Sequence, residues 1–184
     1  MARLGRPEHS RYGYDRSVTT SGTRAIELLR RESVEHRVHE YEPEERHGSA
    51  RQARPAYGLE AAAALDVAPE RIHKTLVATV DRQMVLAVVP IAAELDLKRL
   101  ADATGGRRAE LADPAAAERA TGYVIGGISP LATRRALPVV LDSGADAHRT
   151  IFVSAGRRGL QLELAPADLA RLTGAVRARI ARDH

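Results

Sequence analysis

Residues 72–90 read I-H-K-T-L-V-A-T-V-D-R-Q-M-V-L-A-V-V-P. Two apolar runs rich in β-branched residues, 72–80 and 84–90, flank a short polar turn at Asp81-Arg82, which predicts a β-hairpin at the centre of a sheet. Upstream, Ala25, Ile26, Leu28 and Leu29 recur at helical spacing with Thr23 as N-cap, so a helix runs from Thr23 to about Ser33. His36–Tyr41 alternates and reads as a strand, and Leu59–Leu65 as an alanine-rich helix. The polar stretch Glu42–Ala56, carrying Pro43, Gly48 and Pro55, is a long loop of the kind that forms lids or stays disordered.

Downstream, Glu94–Thr104 is an amphipathic helix stopped by Gly105-Gly106, and Arg107–Leu111 is a short strand. Asp113-Pro114 opens another helix, with Asp as N-cap and Pro at the first helical position. Val139–Leu141, Ile151–Ser154 and Leu160–Leu164 read as strands, the last two flanking a turn at 155–159, and Pro166–Ala181 as a final helix. Helices and strands interleave while at least two strand pairs are hairpins. The expected class is therefore α+β with a mixed sheet.

At 184 residues the chain suits one domain, expected over 23–184, preceded by a disordered basic arm at 1–22 that carries Arg3, Arg6, Arg11 and Arg16. Cysteine is absent, which excludes disulfides, a thiolate nucleophile and a Cys-type zinc site. No apolar run approaches the roughly twenty residues of a membrane span, and the N-terminus lacks a secretory apolar core. The expected location is the cytoplasm. A net charge of +4 favours a polyanionic partner, mildly, since 28 basic residues oppose 24 acidic ones. Only Lys74 and Lys98 are lysine, and the other 26 basic residues are arginine. A compact ammonium kept inside an apolar strand, in a chain that otherwise uses guanidinium, marks Lys74 as a candidate for chemistry.

A second candidate is Thr121–Pro130, T-G-Y-V-I-G-G-I-S-P. Gly126 and Gly127 lack Cβ atoms, so their N–H groups can turn into a cleft and another molecule can approach closely, while Pro130 fixes the exit. This is the pattern of a pocket wall, and equally of a tight turn after a strand. Other chemistries fail on spacing: there is no phosphate-binding G-x-x-x-x-G-K-[ST], no G-x-S-x-G, and no H-E-x-x-H, and the histidines are scattered. No metal and no cofactor are expected.

Four signatures occur in order. They are Tyr41 on a strand, Lys74-Thr75 at the start of an apolar strand, D-P-x-x-A-x-x-x-T-G-Y (113–123) with G-G-I-S-P (126–130), and V-S-x-G-x-R-G (153–159) with L-x-L-E-L-A (160–165). Together these resemble the YbaK family of free-standing aminoacyl-tRNA deacylases, related to the editing domain of bacterial prolyl-tRNA synthetases. The resemblance spans about 23–182. It implies a bent, barrel-like mixed sheet of six to seven strands with helices outside. It also implies trans-editing hydrolysis of Cys-tRNA(Pro), in which the cysteine thiol attacks its own ester and leaves as a cyclic thioester. Lys74 matches the essential lysine. Tyr41, Thr75, Gly126, Gly127, Ser129, Ser154 and Gln161 match or adjoin positions that line the substrate site.

The implied partners are tRNA(Pro) and, in a transient complex, prolyl-tRNA synthetase, with no membrane. Two departures stand out: Gln161 takes a position often filled by Asp, and the 42–56 loop is longer than usual. An editor of alanine or serine esters, and a tRNA-binding regulatory module without turnover, remain the alternative readings.

Overall fold

The computed structural model describes residues 22–43 and 56–182. All of the arm expected at 1–22 except Gly22, and most of the 42–56 loop, lie outside them. The hairpin forms as the sequence predicts. Strands β2 (His73–Val80) and β3 (Gln83–Pro90) pair in antiparallel register from His73–Pro90 to Val80–Gln83. They are joined through Asp81 at φ 52. The pair is central in a five-stranded sheet ordered β5, β2, β3, β6, β9, where β5 is Ala109–Leu111, β6 Val139–Asp142 and β9 Val176–Ala178. β5 runs antiparallel to β2, whereas β6 and β9 add in parallel, so the sheet is mixed.

A three-stranded antiparallel sheet places β8 (Leu160–Leu164) between β1 (His36–Glu40) and β7 (Ile151–Ser154). A third ladder joins the two-residue strands β4 (Glu94–Leu95) and β10 (Ala181–Arg182). A single parallel bridge, Ile72 to Phe152, links the larger sheets. Among the described residues no sheet closes on itself. The barrel-like closure expected of six to seven strands is replaced by separate ladders, because only this bridge ties β2 to β7.

Side chains alternate across each strand, and this divides the core. Val77, Leu86 and Val88 face Leu160, Leu162 and Leu164 of the smaller sheet, with Ile26 and Leu29 of α1 (Arg24–Arg31) in the same cluster. On the opposite face, Ala78, Val80, Val85, Ala87 and Val89 pack with Leu100 of α3 (Leu97–Ala103). A smaller cluster of Ile72, Phe152, Ala61 and Ala62 is covered by α2 (Ala56–Leu65).

Caps read from sequence hold. The Thr23 hydroxyl accepts from Ile26 N, and the Asp113 carboxylate accepts from Ala116 N at the start of α4 (Pro114–Thr121). The helix read over 94–104 is shorter, since Glu94-Leu95 pairs as β4 and Asp96 caps α3. The final helix also ends early. α5 covers Pro166–Thr173 and stops at Gly174 in the left-handed conformation, after which the chain extends into β9 and β10. The buried Asp142 carboxylate draws it there by accepting from Ile180 N at 2.8 Å and Ala181 N at 2.7 Å. No helix among the described residues is long and apolar enough to cross a membrane.

Candidate active site

Lys74 lies two residues beyond Ile72 on β2, and Ser154 two residues beyond Phe152 on β7. The Ile72–Phe152 bridge is parallel, so both strands carry these residues onward in the same direction. The pleat puts Lys74 on the side of Ile72 and turns Thr75 to the face of Val77 and Val88. The two residues of the dipeptide therefore project to opposite faces of β2. The Lys74 ammonium donates to Ala93 O at 2.7 Å, in the turn after β3. Burial pushes its pKa below that of an ordinary lysine, and the nearby Glu94 carboxylate partly opposes this.

On the smaller sheet, cross-strand register aligns His39, Gln161 and Ser154 in one row. Tyr41 follows β1, its N–H donating to Gly159 O at 2.9 Å. Burial raises the Tyr41 phenol pKa, while a hydrogen bond with the Gln161 side chain works against it. Two acceptors remain open: Gln161 Oε1 and Thr75 Oγ1 are buried without a hydrogen-bond partner. Such groups are costly in an apolar interior, which suits atoms reserved for a ligand.

The segment 121–130 contains no strand. Gly122 caps α4 in the left-handed conformation, and the rest is irregular. Tyr123 is buried and its hydroxyl donates to Leu131 O at 2.9 Å, which anchors the bend. The two glycines differ. Gly126 is exposed at φ 89, and its N–H makes no hydrogen bond among the described residues. The Gly127 N–H donates to Val124 O at 3.0 Å, and a Cβ there would stand 2.8 Å from Arg157 Cα. Gly127 thus lets the bend press against the 155–159 turn and does not offer its N–H to the cleft. Ser129 is fully buried, with its oxygen accepting from Leu131 N at 3.2 Å, so it shapes the bend from within. Ser154 is half-buried, and its oxygen accepts from Gly156 N at 3.2 Å.

The sequence reading missed a network beside Gln161. Glu163 faces the same side as Gln161 on β8 and accepts from Thr150 Oγ1 at 2.6 Å and Arg71 Nη2 at 3.0 Å; its other oxygen lies 2.9 Å from His39 Nε2. Burial alone would raise the Glu163 pKa, but these three partners hold it below the usual carboxylate range. The His39 ring and the Arg71 guanidinium both pack on Phe152, at 5.0 Å. The alternation L-x-L-E-L was the available signal, since it sets Gln161 and Glu163 on one face. His73, next to Lys74, is buried, with its Nδ1 3.2 Å from Arg71 O and its Nε2 unpartnered. Burial drives its pKa down to about 4, so the ring is neutral at pH 7. No group of three or more metal-ligating side chains occurs among the described residues.

The result is a mixed-sheet domain that carries a half-buried ammonium at Lys74, an unengaged N–H at Gly126 and neutral hydrogen-bonding groups at Tyr41, Ser154 and Gln161, with no nucleophile–base pair among the described residues. The family model of the aminoacyl-tRNA editing domain matches residues 54–172. A protein of Enterococcus faecalis named "Putative Cys-tRNA(Pro)/Cys-tRNA(Cys) deacylase EbsC" is 36% identical over 156 residues, covering 84% of this chain and 90% of that one. The crystal structure of "a putative trans-editing enzyme for prolyl tRNA synthetase" superposes with TM-score 0.68 at 26% identity, over 80% of this chain and 87% of the other. The hypothetical protein APE2540 shares the fold, with TM-score 0.75 at 24% identity over 87% of this chain and all of that one. The chain belongs to the aminoacyl-tRNA editing domain family.

Proposed function

We propose that this protein removes cysteine from mischarged tRNA(Pro) in trans, with Lys74 as the catalytic cation. The observation that carries the reading is the Lys74 ammonium, half-buried near the start of β2 on the side of Ile72, which bridges to Phe152. Ester cleavage develops negative charge on the carbonyl oxygen, and fixed donors aimed at that oxygen lower the barrier. Lys74 and the Gly126 N–H are the donors available for it. Tyr41, Thr75, Ser154 and Gln161 hydrogen-bond the aminoacyl end and the terminal ribose, while Gly127 and Ser129 hold the bend in shape.

Among the described residues no side chain of the site is paired as nucleophile and base, and the attacking group is assigned to the substrate. The cysteine sulfur bonds to its own carbonyl carbon, the ester C–O bond breaks, and the thiol proton passes to the departing ribose oxygen. Water then opens the cyclic thioester to free cysteine. The name of the Enterococcus relative supports the choice of amino acid and tRNA. The likeness to a trans-editing enzyme for prolyl tRNA synthetase supports an association with that synthetase.

Gln161 supplies a neutral acceptor where a carboxylate would pair with the substrate ammonium, and this keeps an alanine or serine editor as the second reading. The test is deacylation of proline tRNA charged with cysteine, serine, alanine or proline. Cleavage of the cysteine ester with survival of the serine ester, which differs by one atom, supports both the substrate and its self-attack. Equal cleavage of serine and cysteine esters eliminates the thiol mechanism. Survival of all four at the uncatalysed rate eliminates the hydrolase.

A further inference from the structure

Four exposed arginines, Arg24, Arg119, Arg134 and Arg135, gather at the C-terminal end of α4. Arg24 Nη2 donates to Thr121 O at 3.1 Å and Gly122 O at 3.0 Å. Arg134 N and Arg135 N donate to Thr121 O and Ala120 O. A Cβ on Gly122 would lie 2.8 Å from Arg24 Nη2 and 3.2 Å from Arg134 Cβ, so the two side chains start beside one another. One cation satisfies the helix dipole, and Arg24 fills that role. The side chains of Arg119, Arg134 and Arg135 are left over. None of the four forms an ion pair among the described residues, and the neighbouring Glu118 is engaged, accepting from Ile125 N at 2.8 Å.

The cluster is mechanically continuous with the candidate site. The Arg24 guanidinium lies 4.5 Å from the centre of the Tyr123 ring. A Cβ on Gly156 would stand 2.6 Å from Tyr123 Cε1, and Gly156 N donates to Ser154 Oγ. Thr23, next to Arg24, donates its hydroxyl to Ala155 O at 2.5 Å. A phosphodiester chain whose 3′ end sits against Ser154 would leave the site beside uncompensated guanidinium groups, which suit phosphate by geometry and charge. We infer that Arg24, Arg119, Arg134 and Arg135 contact the sugar-phosphate backbone of the tRNA acceptor end. This inference rests on the reading of the chain as an editor of aminoacyl-tRNA.

The experiment measures equilibrium binding of uncharged tRNA across a salt series, with Arg134→Glu/Arg135→Glu set against Arg82→Glu/Arg107→Glu, an equal charge change at the far end of the hairpin. The expected result for the 134/135 pair is affinity weaker by about tenfold or more at low salt, with a salt slope smaller by about one to two. The hairpin-tip pair should change affinity by less than about twofold. Folding of both is checked by circular dichroism. A second readout is hydrolysis of charged tRNA against a 3′-cysteinyl-adenosine, which has no phosphate backbone: the 134/135 pair should raise KM for the tRNA alone.

Equal weakening by both pairs means diffuse charge and overturns the inference, as does unchanged tRNA affinity. Unchanged tRNA affinity with lost capture of prolyl-tRNA synthetase overturns it in favour of an acidic protein surface. If neither ester is hydrolysed by the wild type while tRNA binding still depends on Arg134 and Arg135, the patch stands and the deacylase reading falls.

Discussion

Lys74 and His73 are neighbours on one strand, and burial lowers the pKa of both. The Lys74 pKa is lowered by burial, so its ammonium deprotonates at a lower pH than that of an exposed lysine. If the charged form stabilises the oxyanion, kcat/KM corrected for spontaneous hydrolysis should fall on the alkaline side below the usual lysine range. Lys74→Arg, whose guanidinium stays charged, should lose that limb. His73 gives a stability prediction. Its folded pKa of about 4 lies below the ordinary 6.5, so the unfolded chain binds more protons between those values. Its contribution is complete above about pH 6.5 and is lost as pH falls towards 4, by on the order of 3 kcal/mol. Urea titrations at pH 7 and pH 4.5 should show His73→Gln with a flatter pH dependence than wild type; parallel profiles would remove His73 from the account. Of the residues singled out from sequence, Lys74 stands out because it breaks the chain's use of arginine. The difference between Gly126 and Gly127 was not, because it depends on which glycine meets the Arg157 backbone.

At the scale of elements, the bend and the 155–159 turn support each other through glycine. Gly127→Ala would push a methyl group within 2.8 Å of Arg157 Cα, and backbone cannot yield as a flexible side chain can. The expected cost is about 1–3 kcal/mol. It should come with a loss of activity larger than the loss of stability explains, since the turn directly follows Ser154 and its Gly156 N–H donates to the Ser154 hydroxyl oxygen. Thermal unfolding and single-turnover assays on one preparation would show this; full activity would mean that the turn does not position the site.

The C-terminal strands depend on Asp142. Asp142→Ala leaves the N–H groups of Gly144, Ile180 and Ala181 without their acceptor. It should destabilise by about 2–4 kcal/mol, measurable by urea denaturation, while Asp142→Asn retains part of that stability. The same carboxylate explains why the end of α5 is not legible in the sequence. Ala, Val and Ile after Gly174 keep an apolar pattern that tolerates either period, and the choice is made by a partner more than thirty residues upstream. Strands β2, β3 and β7 were legible as short apolar runs rich in β-branched residues bounded by turns, and β8 by the alternation L-x-L-E-L. The caps at Thr23 and Asp113 were legible because they are local.

For the whole molecule, two sheets share one main core and meet at the Ile72–Phe152 bridge, and the candidate site lies where their strands run on from it. Leu162, fully buried between the sheets, should cost about 2–5 kcal/mol when truncated to Ala, read as a lower denaturant midpoint. The mixed sheet follows from the hairpin; the break into separate ladders does not, because it hangs on one long-range bridge. The account as a whole turns on the charge of one side chain at that junction. Its most direct test is the single-turnover rate of Cys-tRNA(Pro) hydrolysis by wild type and by Lys74→Ala, each confirmed folded. The account predicts a fall on the order of a hundredfold or more in the variant, a few kcal/mol of lost transition-state stabilisation. A variant that cleaves the ester within about threefold of wild type, less than about 1 kcal/mol, would contradict it.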